Sequence, residues 1–298
     1  MAYSESRAYL ELHLAVFLWG FTAILGDLIE LSALTLVWWR VLMTSFSLLA
    51  FVQLPRLVRE LGWRKIITLV GIGWLTGLHW LAFYGSIKLA NASIALICMA
   101  TTSLFSSVLE PWVVGRPFRW SELLLGVFIL PGIWLITAGS SAESNVGIAV
   151  GLVSAFLASL FTTLNKRYAG EIPALRVTFV ELGGATVLLS FLLPVVGAEP
   201  FWPGRGIDWL YLLILSLLCT TLTFVLSLRA LRLLSAFTTN LTINLEPVYG
   251  ITLAYFLLND GQELGPRFYL GTAIILLAVF GFTGLQRWRR RAAARLQP

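Results

Sequence analysis

The chain has 298 residues, of which 58% are hydrophobic and only 12% are charged, with a mean hydropathy of +0.85. An ordinary soluble domain carries about 25% charged residues, so this composition excludes a water-soluble globular protein. The formal net charge of +6 does not indicate nucleic-acid binding, because Lys and Arg lie at the ends of apolar blocks and in the tail. The two cysteines, Cys98 and Cys219, both lie inside apolar segments, so their spacing predicts neither a disulfide scaffold nor a metal site.

Apolar blocks of about twenty residues, the length that crosses a ~30 Å hydrocarbon layer, recur along the chain. The first, from Leu10 to Ile29, is too long for a signal peptide and no small-residue cleavage pattern follows it, so we expect a retained span. Most connections between blocks are short and contain Gly, Pro, Asn or Ser, which leaves no room for a soluble domain. The ten predicted spans are 10–29, 34–54, 66–86, 92–114, 121–138, 146–165, 174–196, 209–228, 233–258 and 267–285.

The positive charges predict the orientation of these spans. Of the 21 Lys and Arg residues, 17 lie on one side, Lys88, Arg205 and Arg267 lie on the other, and Arg40 lies inside a span. Cytoplasmic loops retain positive charge, so we expect both termini in the cytoplasm and the chain in the cytoplasmic (inner) membrane. With ten spans and both ends on one side, span 1 leaves the cytoplasm and span 6 enters it, so two five-span halves are antiparallel.

Weak internal similarity supports two halves, residues 1–140 and 141–298, the second with the basic tail. The stretch 88–95 recurs loosely as 231–238, and each is followed by a span that contains Thr, Ser and Asn. The next span of each half carries a glycine at matching depth, Gly126 and Gly271. The predicted fold is therefore an all-α integral membrane protein of ten transmembrane helices, arranged as two inverted five-helix repeats, which is a recurring plan of secondary transporters.

Several short motifs of the sequence resemble the EamA-type members of the drug/metabolite transporter superfamily. These are Trp19-Gly20-Phe21, Trp38-Trp39-Arg40, Leu245-Glu246-Pro247 and the glycines at 126, 132 and 271. The resemblance implies a ten-helix transporter with a central cavity, in which spans 1–4 and 6–9 line the path and spans 5 and 10 lie at the periphery. The family includes exporters of amino acids, other metabolites and drugs, so it does not name a substrate. The position in the first half that matches Pro247 lies near residues 102–104 and has no proline, so a matching helix break in span 4 lacks the support of a proline there; Pro111 lies one to two turns further on.

Deep polar and aromatic side chains are candidate functional residues, because an ionisable group in hydrocarbon is costly unless it faces a cavity or a partner. Arg40 lies about two turns into span 2, where it either pairs with Asp27 or binds a carboxylate or phosphate of a solute. His79 in span 3 is either a proton-transfer group or a packed, hydrogen-bonded residue. Trp19 and Trp39 are either walls of a solute pocket or packing residues.

Span 9 has the densest set of candidate residues. Glu246 lies beside Pro247, which is predicted to break the helix and free a backbone carbonyl for water or a ligand. Asn240 and Asn244 are spaced to share one helix face, so they either face a cavity or join neighbouring helices by hydrogen bonds. Glu246, Glu181 and His79 are the candidates for proton coupling.

Glu110, near the cytoplasmic end of span 4, is predicted to form a local salt bridge with Arg116 or Arg119. The sequence contains no phosphate loop, nucleophile elbow, zinc signature or kinase motif, so it predicts neither an enzyme nor a cofactor or metal.

The sequence therefore predicts a secondary transporter, either a facilitator or proton-coupled, that exports a small metabolite such as an amino acid or related solute by alternating access. The alternatives are an integral membrane enzyme acting on lipid-linked substrates, and a lipid scramblase or scaffold. The expected partners are a small-molecule solute and membrane lipid, not nucleic acid, and the chain is expected to be a monomer or a homodimer.

Overall fold

The computed structural model describes residues 4–137, 142–196 and 200–257, together with separate positions between 266 and 281. In this part of the chain the secondary structure is helical, without strands. Six helical stretches of the described residues are long and apolar enough to cross a membrane, and shorter apolar stretches occupy Ala33–Leu49 and Trp120–Gly132. The chain is therefore a multi-pass helical membrane protein. The span predicted at 267–285 lies largely outside the described residues.

Twelve helices follow one another in the described ranges. The first six are α1 (Glu5–Leu28), α2 (Ala33–Leu49), α3 (Leu54–Leu89), α4 (Ala92–Met99), α5 (Thr102–Val114) and α6 (Trp120–Thr137). The second six are α7 (Ala142–Tyr168), α8 (Ala174–Val196), α9 (Gly206–Ser216), α10 (Thr223–Leu231), α11 (Ala236–Ile243) and α12 (Glu246–Leu257). A π-helical turn, Leu217–Leu222, joins α9 and α10 into one span.

Helix α3 begins well before the span predicted at 66–86. Its first two turns carry Leu54, Leu57 and Leu61 at helical spacing, and Arg56 Nε donates to the Glu60 carboxylate over 2.5 Å. Gly62 then interrupts the helix with φ 70° and ψ 158°, a backbone region that glycine adopts without steric penalty. The loop that the sequence suggested over 55–65 is thus a short helical segment, kinked away from the span that follows.

Two spans are broken at equivalent places. Helix α11 ends before Asn244 and α12 begins at Glu246, directly before Pro247. Helix α4 ends before Ala100 and α5 begins at Thr102, although no proline lies there.

The break between α4 and α5 has a local cause. The hydroxyls of Thr101, Thr102 and Ser103 donate to carbonyls three residues earlier, over 2.7, 2.8 and 3.3 Å. The backbone amides of Ala100 and Thr101 also bond three residues back instead of four. A run of hydroxyl side chains that competes for these carbonyls therefore takes the place of the proline, a cause of helix breaking that the sequence did not predict.

Glycines bring the two parts of the chain into close contact. A Cβ on Gly73 of α3 would lie 1.9 Å from the carbonyl oxygen of Glu181 on α8, so only glycine fits at this crossing. Gly20 of α1 is packed in the same way against Tyr249 and Gly250 of α12. As a result α3 packs on α7 and α8, while α1 packs on α10 and α12.

Two ends of the helix assembly differ in composition. We call the end that contains Arg116, Lys166 and Arg229 the basic end. The opposite end carries a cluster of rings, and we call it the aromatic end; the cluster consists of Trp38, Trp39, Phe201, Trp202 and Trp209.

Candidate functional site: a polar cavity between the two ends

A cavity lies among the helices between the two ends. About 60 Å³ of it is open to the centre of a water-sized sphere, where one water needs about 10–15 Å³. Its aromatic wall is formed by Trp19, Trp80, Phe83, Phe161 and Phe224. Its polar wall is formed by Thr22, Arg40, His79, Thr102, Thr162, Asn165, Ser227, Asn240 and Glu246. Such a mixture, mostly apolar with a few convergent polar groups, is typical of small-molecule sites.

Arg40 on α2 is the positive charge of this cavity, and its side chain is 1% exposed. Its Nε donates to Thr220 Oγ1 over 2.6 Å, and Nη1 donates to the hydroxyl of Tyr84 over 3.0 Å. The guanidinium lies 4.0 Å from the ring centroid of Trp80, a cation–π arrangement. Neutral groups therefore hold the guanidinium in a fixed position.

The pairing of Arg40 with Asp27 that the sequence suggested is wrong. Asp27 is exposed near the end of α1, and within the described ranges no carboxylate oxygen lies within 4.0 Å of the Arg40 guanidinium. Because Arg40 carries five N–H donors, its charge and part of its hydrogen-bonding capacity remain available to a solute.

Two acceptor groups of the π-helical turn hold the guanidinium of Arg40. Thr220 Oγ1 donates to the carbonyl of Leu215 over 2.6 Å, so its lone pair faces Arg40 Nε. The carbonyl of Cys219 accepts from Arg40 Nη2 over 3.4 Å. A π turn inside an α-helix frequently marks a functional site, and here it presents two acceptors to one guanidinium.

Glu246 is the acid of the cavity. It is 6% exposed, it faces the hydroxyl of Thr22, and it lies within electrostatic range of Arg40. As the first residue of α12 it lies at the positive end of a helix dipole, which favours negative charge. The cavity thus contains one fixed cation and one acid that are not joined in a salt bridge.

His79 lines the cavity from α3. Its Nδ1 lies 2.9 Å from the carbonyl oxygen of Ser154 and 2.8 Å from the hydroxyl of Ser154. A carbonyl only accepts, so Nδ1 carries the hydrogen and Nε2 is the nitrogen that can exchange a proton. The ring also packs against Phe161, with centroids 5.5 Å apart.

The two asparagines of span 9 have different positions. Asn240 lines the cavity, and its Nδ2 donates to Ser106 Oγ over 2.6 Å. Asn244 follows the last residue of α11 and is not part of the cavity wall; its Nδ2 donates to Ser103 Oγ over 3.0 Å. Both amides join α11 to α5, as interhelical hydrogen bonds do in membranes.

The two candidate tryptophans also lie in different parts of the molecule. Trp19 is part of the cavity wall, whereas Trp39 belongs to the ring cluster of the aromatic end. Trp39 Nε1 donates to the carbonyl of Phe201 over 2.9 Å, and its side chain is 9% exposed. Trp39 therefore packs within the aromatic end and not on the cavity wall.

Glu181 on α8 lies behind the wall, fully buried. Asn165 of α7, which does line the cavity, donates from Nδ2 to Glu181 Oε2 over 3.1 Å. Sequence reasoning missed Asn165, Tyr84 and Thr220, because it weighed ionisable residues above neutral polar ones. A polar residue inside an apolar span was the signal that could have identified them.

In the parts of the chain that the structure describes, no group of three His, Cys, Asp or Glu side chains is arranged to hold a metal ion.

Comparison with known proteins identifies the family. The profile of the EamA-like transporter family matches the chain twice, over residues 6–138 and 145–284. A solved crystal structure aligns over 99% of this chain and 100% of its own length, with a TM-score of 0.72 and 17% identity, which shows similarity of fold alone.

Three curated relatives are described as uncharacterized transporters. YdfC of Bacillus subtilis (strain 168) is 32% identical over 166 residues, or 54% of this chain; the chain therefore spans only 53% of that relative. Two proteins of Archaeoglobus fulgidus are 27% and 26% identical, over 76% and 95% of this chain and 79% and 99% of their own lengths. The chain belongs to the EamA-like transporter family of the drug/metabolite transporter superfamily.

Proposed function

We propose that the chain is a secondary transporter that exports a small metabolite, such as an amino acid or a related solute, by alternating access. The observation that carries this proposal is the guanidinium of Arg40, which has no salt bridge among the described residues and is held by Thr220, Tyr84 and Trp80 on the wall of a buried cavity. A buried charge without a salt-bridge partner is costly, so such an arrangement is expected where an anionic solute completes it.

The chemistry of the cavity favours a solute with both an acidic and a basic group. Arg40 suits a carboxylate or phosphate oxygen, and Glu246 suits an ammonium group or a proton. The N-termini of α5 and α12, at Thr102 and Glu246, both lie at the cavity and add partial positive charge. Trp19, Arg40, His79, Asn240 and Glu246 are our substrate-binding residues.

The proposed mechanism needs two halves that exchange conformations. We propose two inverted five-helix repeats, residues 1–140 and 141–298, with ten spans in total. The paired breaks before α5 and α12 support this symmetry. The basic end would face the cytoplasm of the inner membrane with both termini, since positive loops stay inside. A monomer or a homodimer fits this plan.

Flux measurements in proteoliposomes test the proposal. A panel of amino acids, nucleosides, sugars and organic cations would be loaded, and efflux recorded with and without a pH gradient. We expect flux of an anionic or zwitterionic solute, and Arg40→Gln should raise its apparent KM at least tenfold, since a hydrogen bond to a charged group contributes about 1.5–3 kcal/mol. Arg205→Gln, at the aromatic end, is the matched control. Turnover or modification of lipid without solute flux would contradict the proposal.

A further inference from the structure

Glu181 and Asn165 form an isolated polar pair in the interior. Glu181 is fully buried and Asn165 is 2% exposed. One hydrogen bond joins them, from Asn165 Nδ2 to Glu181 Oε2 over 3.1 Å. The second oxygen of each side chain, Glu181 Oε1 and Asn165 Oδ1, is buried and has no hydrogen-bond partner among the described residues. Two acceptors belonging to one bonded pair are thus both left without a donor.

The described charged and titratable side chains of the helices around this pair are bonded elsewhere or are exposed. On α2, α8 and α10 these are Arg40, bonded to Thr220; Arg176, paired with Glu60; and Arg229, paired with Glu11. On α3 and α7 the bonded ones are Arg56, paired with Glu60; His79, bonded to Ser154; Tyr84, bonded to Arg40; and Lys88, Lys166 and Arg167, each bonded to a backbone carbonyl. The exposed ones are Arg59, Arg64, Lys65 and Tyr168. None of the basic ones lies within 4.0 Å of the Glu181 carboxyl as an ion pair, and at the crossing of α3 with α8 it is the backbone of Glu181 that lies against Gly73. An ionised Glu181 would therefore be a buried charge with a single neutral donor, which is expensive.

We propose that Glu181 binds a proton on Oε1 and donates it to Asn165 Oδ1. Together with the bond from Asn165 Nδ2 to Oε2, this closes a cyclic pair of a carboxylic acid and an amide. A single proton then satisfies both unpartnered oxygens, as buried polar groups require. The carboxylate takes this proton from solvent and returns it there, and no other bond forms or breaks.

Protonation of Glu181 affects solute binding directly through Asn165, a consequence that rests on the proposed function. Asn165 lines the cavity. When Glu181 is protonated, both polar atoms of the Asn165 amide are used by Glu181. When Glu181 loses its proton, Oδ1 loses its donor, and the amide can turn so that Oδ1 accepts from an N–H of the solute. Proton and solute therefore compete, and by linkage solute affinity falls as pH falls, by up to about tenfold per pH unit for one proton. Such competition is the basis of exchange of a solute for a proton.

Infrared difference spectroscopy of the purified protein, recorded between acidic and alkaline buffer without any solute, detects the proton itself. The carbonyl stretch of a protonated, hydrogen-bonded carboxyl should appear in the wild type, persist in Glu246→Gln and in the exposed control Glu171→Gln, and disappear in Glu181→Gln. An undiminished band in folded Glu181→Gln would overturn the proton site.

A second variant keeps the test decisive if Glu181→Gln does not fold. Asn165→Leu retains the acid but removes its partner, so the carboxyl band should shift to the frequency of an acid without a hydrogen bond. An unchanged frequency in Asn165→Leu would overturn the cyclic pair.

The coupling step has a separate readout. Proteoliposomes loaded with an equimolar mixture of the twenty proteinogenic amino acids and a pH-sensitive dye should move protons in the wild type and not in Glu181→Gln. If the carboxyl band depends on Glu181 but the amino-acid flux moves no protons, the proposed competition between proton and solute is wrong. A lack of flux of any solute in the wild type would instead contradict the proposed function and leave the infrared result standing.

Discussion

The two ends of the helix assembly are held together by different kinds of contact. At the basic end, the Glu110 carboxylate on α5 accepts from the backbone amides of Ala236 and Phe237, each over 2.9 Å, and thereby caps α11. Arg116 donates to the same carboxylate over 3.0 Å, the local salt bridge that the sequence suggested. At the aromatic end, Trp39 is surrounded by rings with centroids 5.0–5.8 Å away.

This difference has mechanical consequences. Bonds from a carboxylate to amides at a helix terminus depend strongly on distance and angle, so they break as a unit when α11 shifts. Ring contacts depend on area and tolerate sliding, so they weaken gradually. We therefore expect the basic end to open in one step and the aromatic end to loosen progressively, and variants at each end should distinguish these two kinds of opening.

Glu110→Ala should have the largest effect. It removes the acceptor of two buried amides and leaves Arg116 without one of its partners, so the free energy of unfolding should fall by about 3–5 kcal/mol. Glu110→Gln keeps one acceptor oxygen, so its free energy of unfolding should fall less. Thermal unfolding in detergent measures the stability of both variants. A loss for Glu110→Ala no larger than that of Arg119→Gln, whose side chain is 60% exposed, would contradict the capping role.

Trp39→Ala should have the next largest effect, lowering the free energy of unfolding by about 3 kcal/mol, because it opens a cavity within the ring cluster. Trp39→Phe keeps a ring and loses only the bond from Nε1 to Phe201, so about 1 kcal/mol should be lost. The same unfolding assay distinguishes them. Equal losses in the two variants would show that the hydrogen bond, and not the ring contact, stabilises this end.

Lys166→Met should have a smaller effect at the basic end. Lys166 Nζ donates to the carbonyls of Leu231 and Leu234, each over 2.7 Å, at the end of α10. Loss of these charge-assisted bonds should cost about 1.5 kcal/mol. Hydrogen exchange should also show faster opening of α10 than in the wild type. Unchanged exchange at the end of α10 would argue against this anchoring role.

Arg56→Gln should have the smallest effect. Arg56 is 58% exposed and pairs with Glu60 over 2.5 Å, and Glu60 keeps a second ion pair with Arg176. The hydrogen bond with Glu60 raises the pKa of the Arg56 guanidinium above its ordinary value, so it stays charged at all physiological pH values. Surface pairs of this kind contribute little and are screened by salt. We expect no resolvable change in melting temperature between the variant and wild type, and a clear decrease would contradict this.

Much of the fold could be predicted from the sequence, because apolar length reports directly on membrane spans. The predicted span 174–196 agrees with α8, and 121–138 differs from α6 by one residue at each end. The break before α5 could not be predicted from a proline, because three hydroxyl side chains produce it. The early start of α3 was missed because apolar length locates only the membrane-spanning part of a helix.

The cavity was harder to predict, because helix periodicity does not say which face meets which neighbour. Asn240 and Asn244 are spaced to share a helix face, yet only Asn240 reaches the cavity, because α11 ends just before Asn244. Arg40 was correctly identified as an inward-facing residue, but its partners come from a π turn about 180 residues away in sequence, which no local pattern reveals. Long-range contacts of this kind require the structure.

Access to the cavity from both sides of the membrane is the most direct test of the account. Both native cysteines, Cys98 and Cys219, would be replaced by alanine, and Ser227→Cys would place a single thiol on the cavity wall. Membrane-impermeant thiol reagents would then be applied from each side of oriented vesicles. We predict labelling from both sides, with Glu110→Gln increasing the rate from the basic end and Trp39→Ala the rate from the aromatic end. Labelling from one side only, in the parent and in both variants, would contradict alternating access.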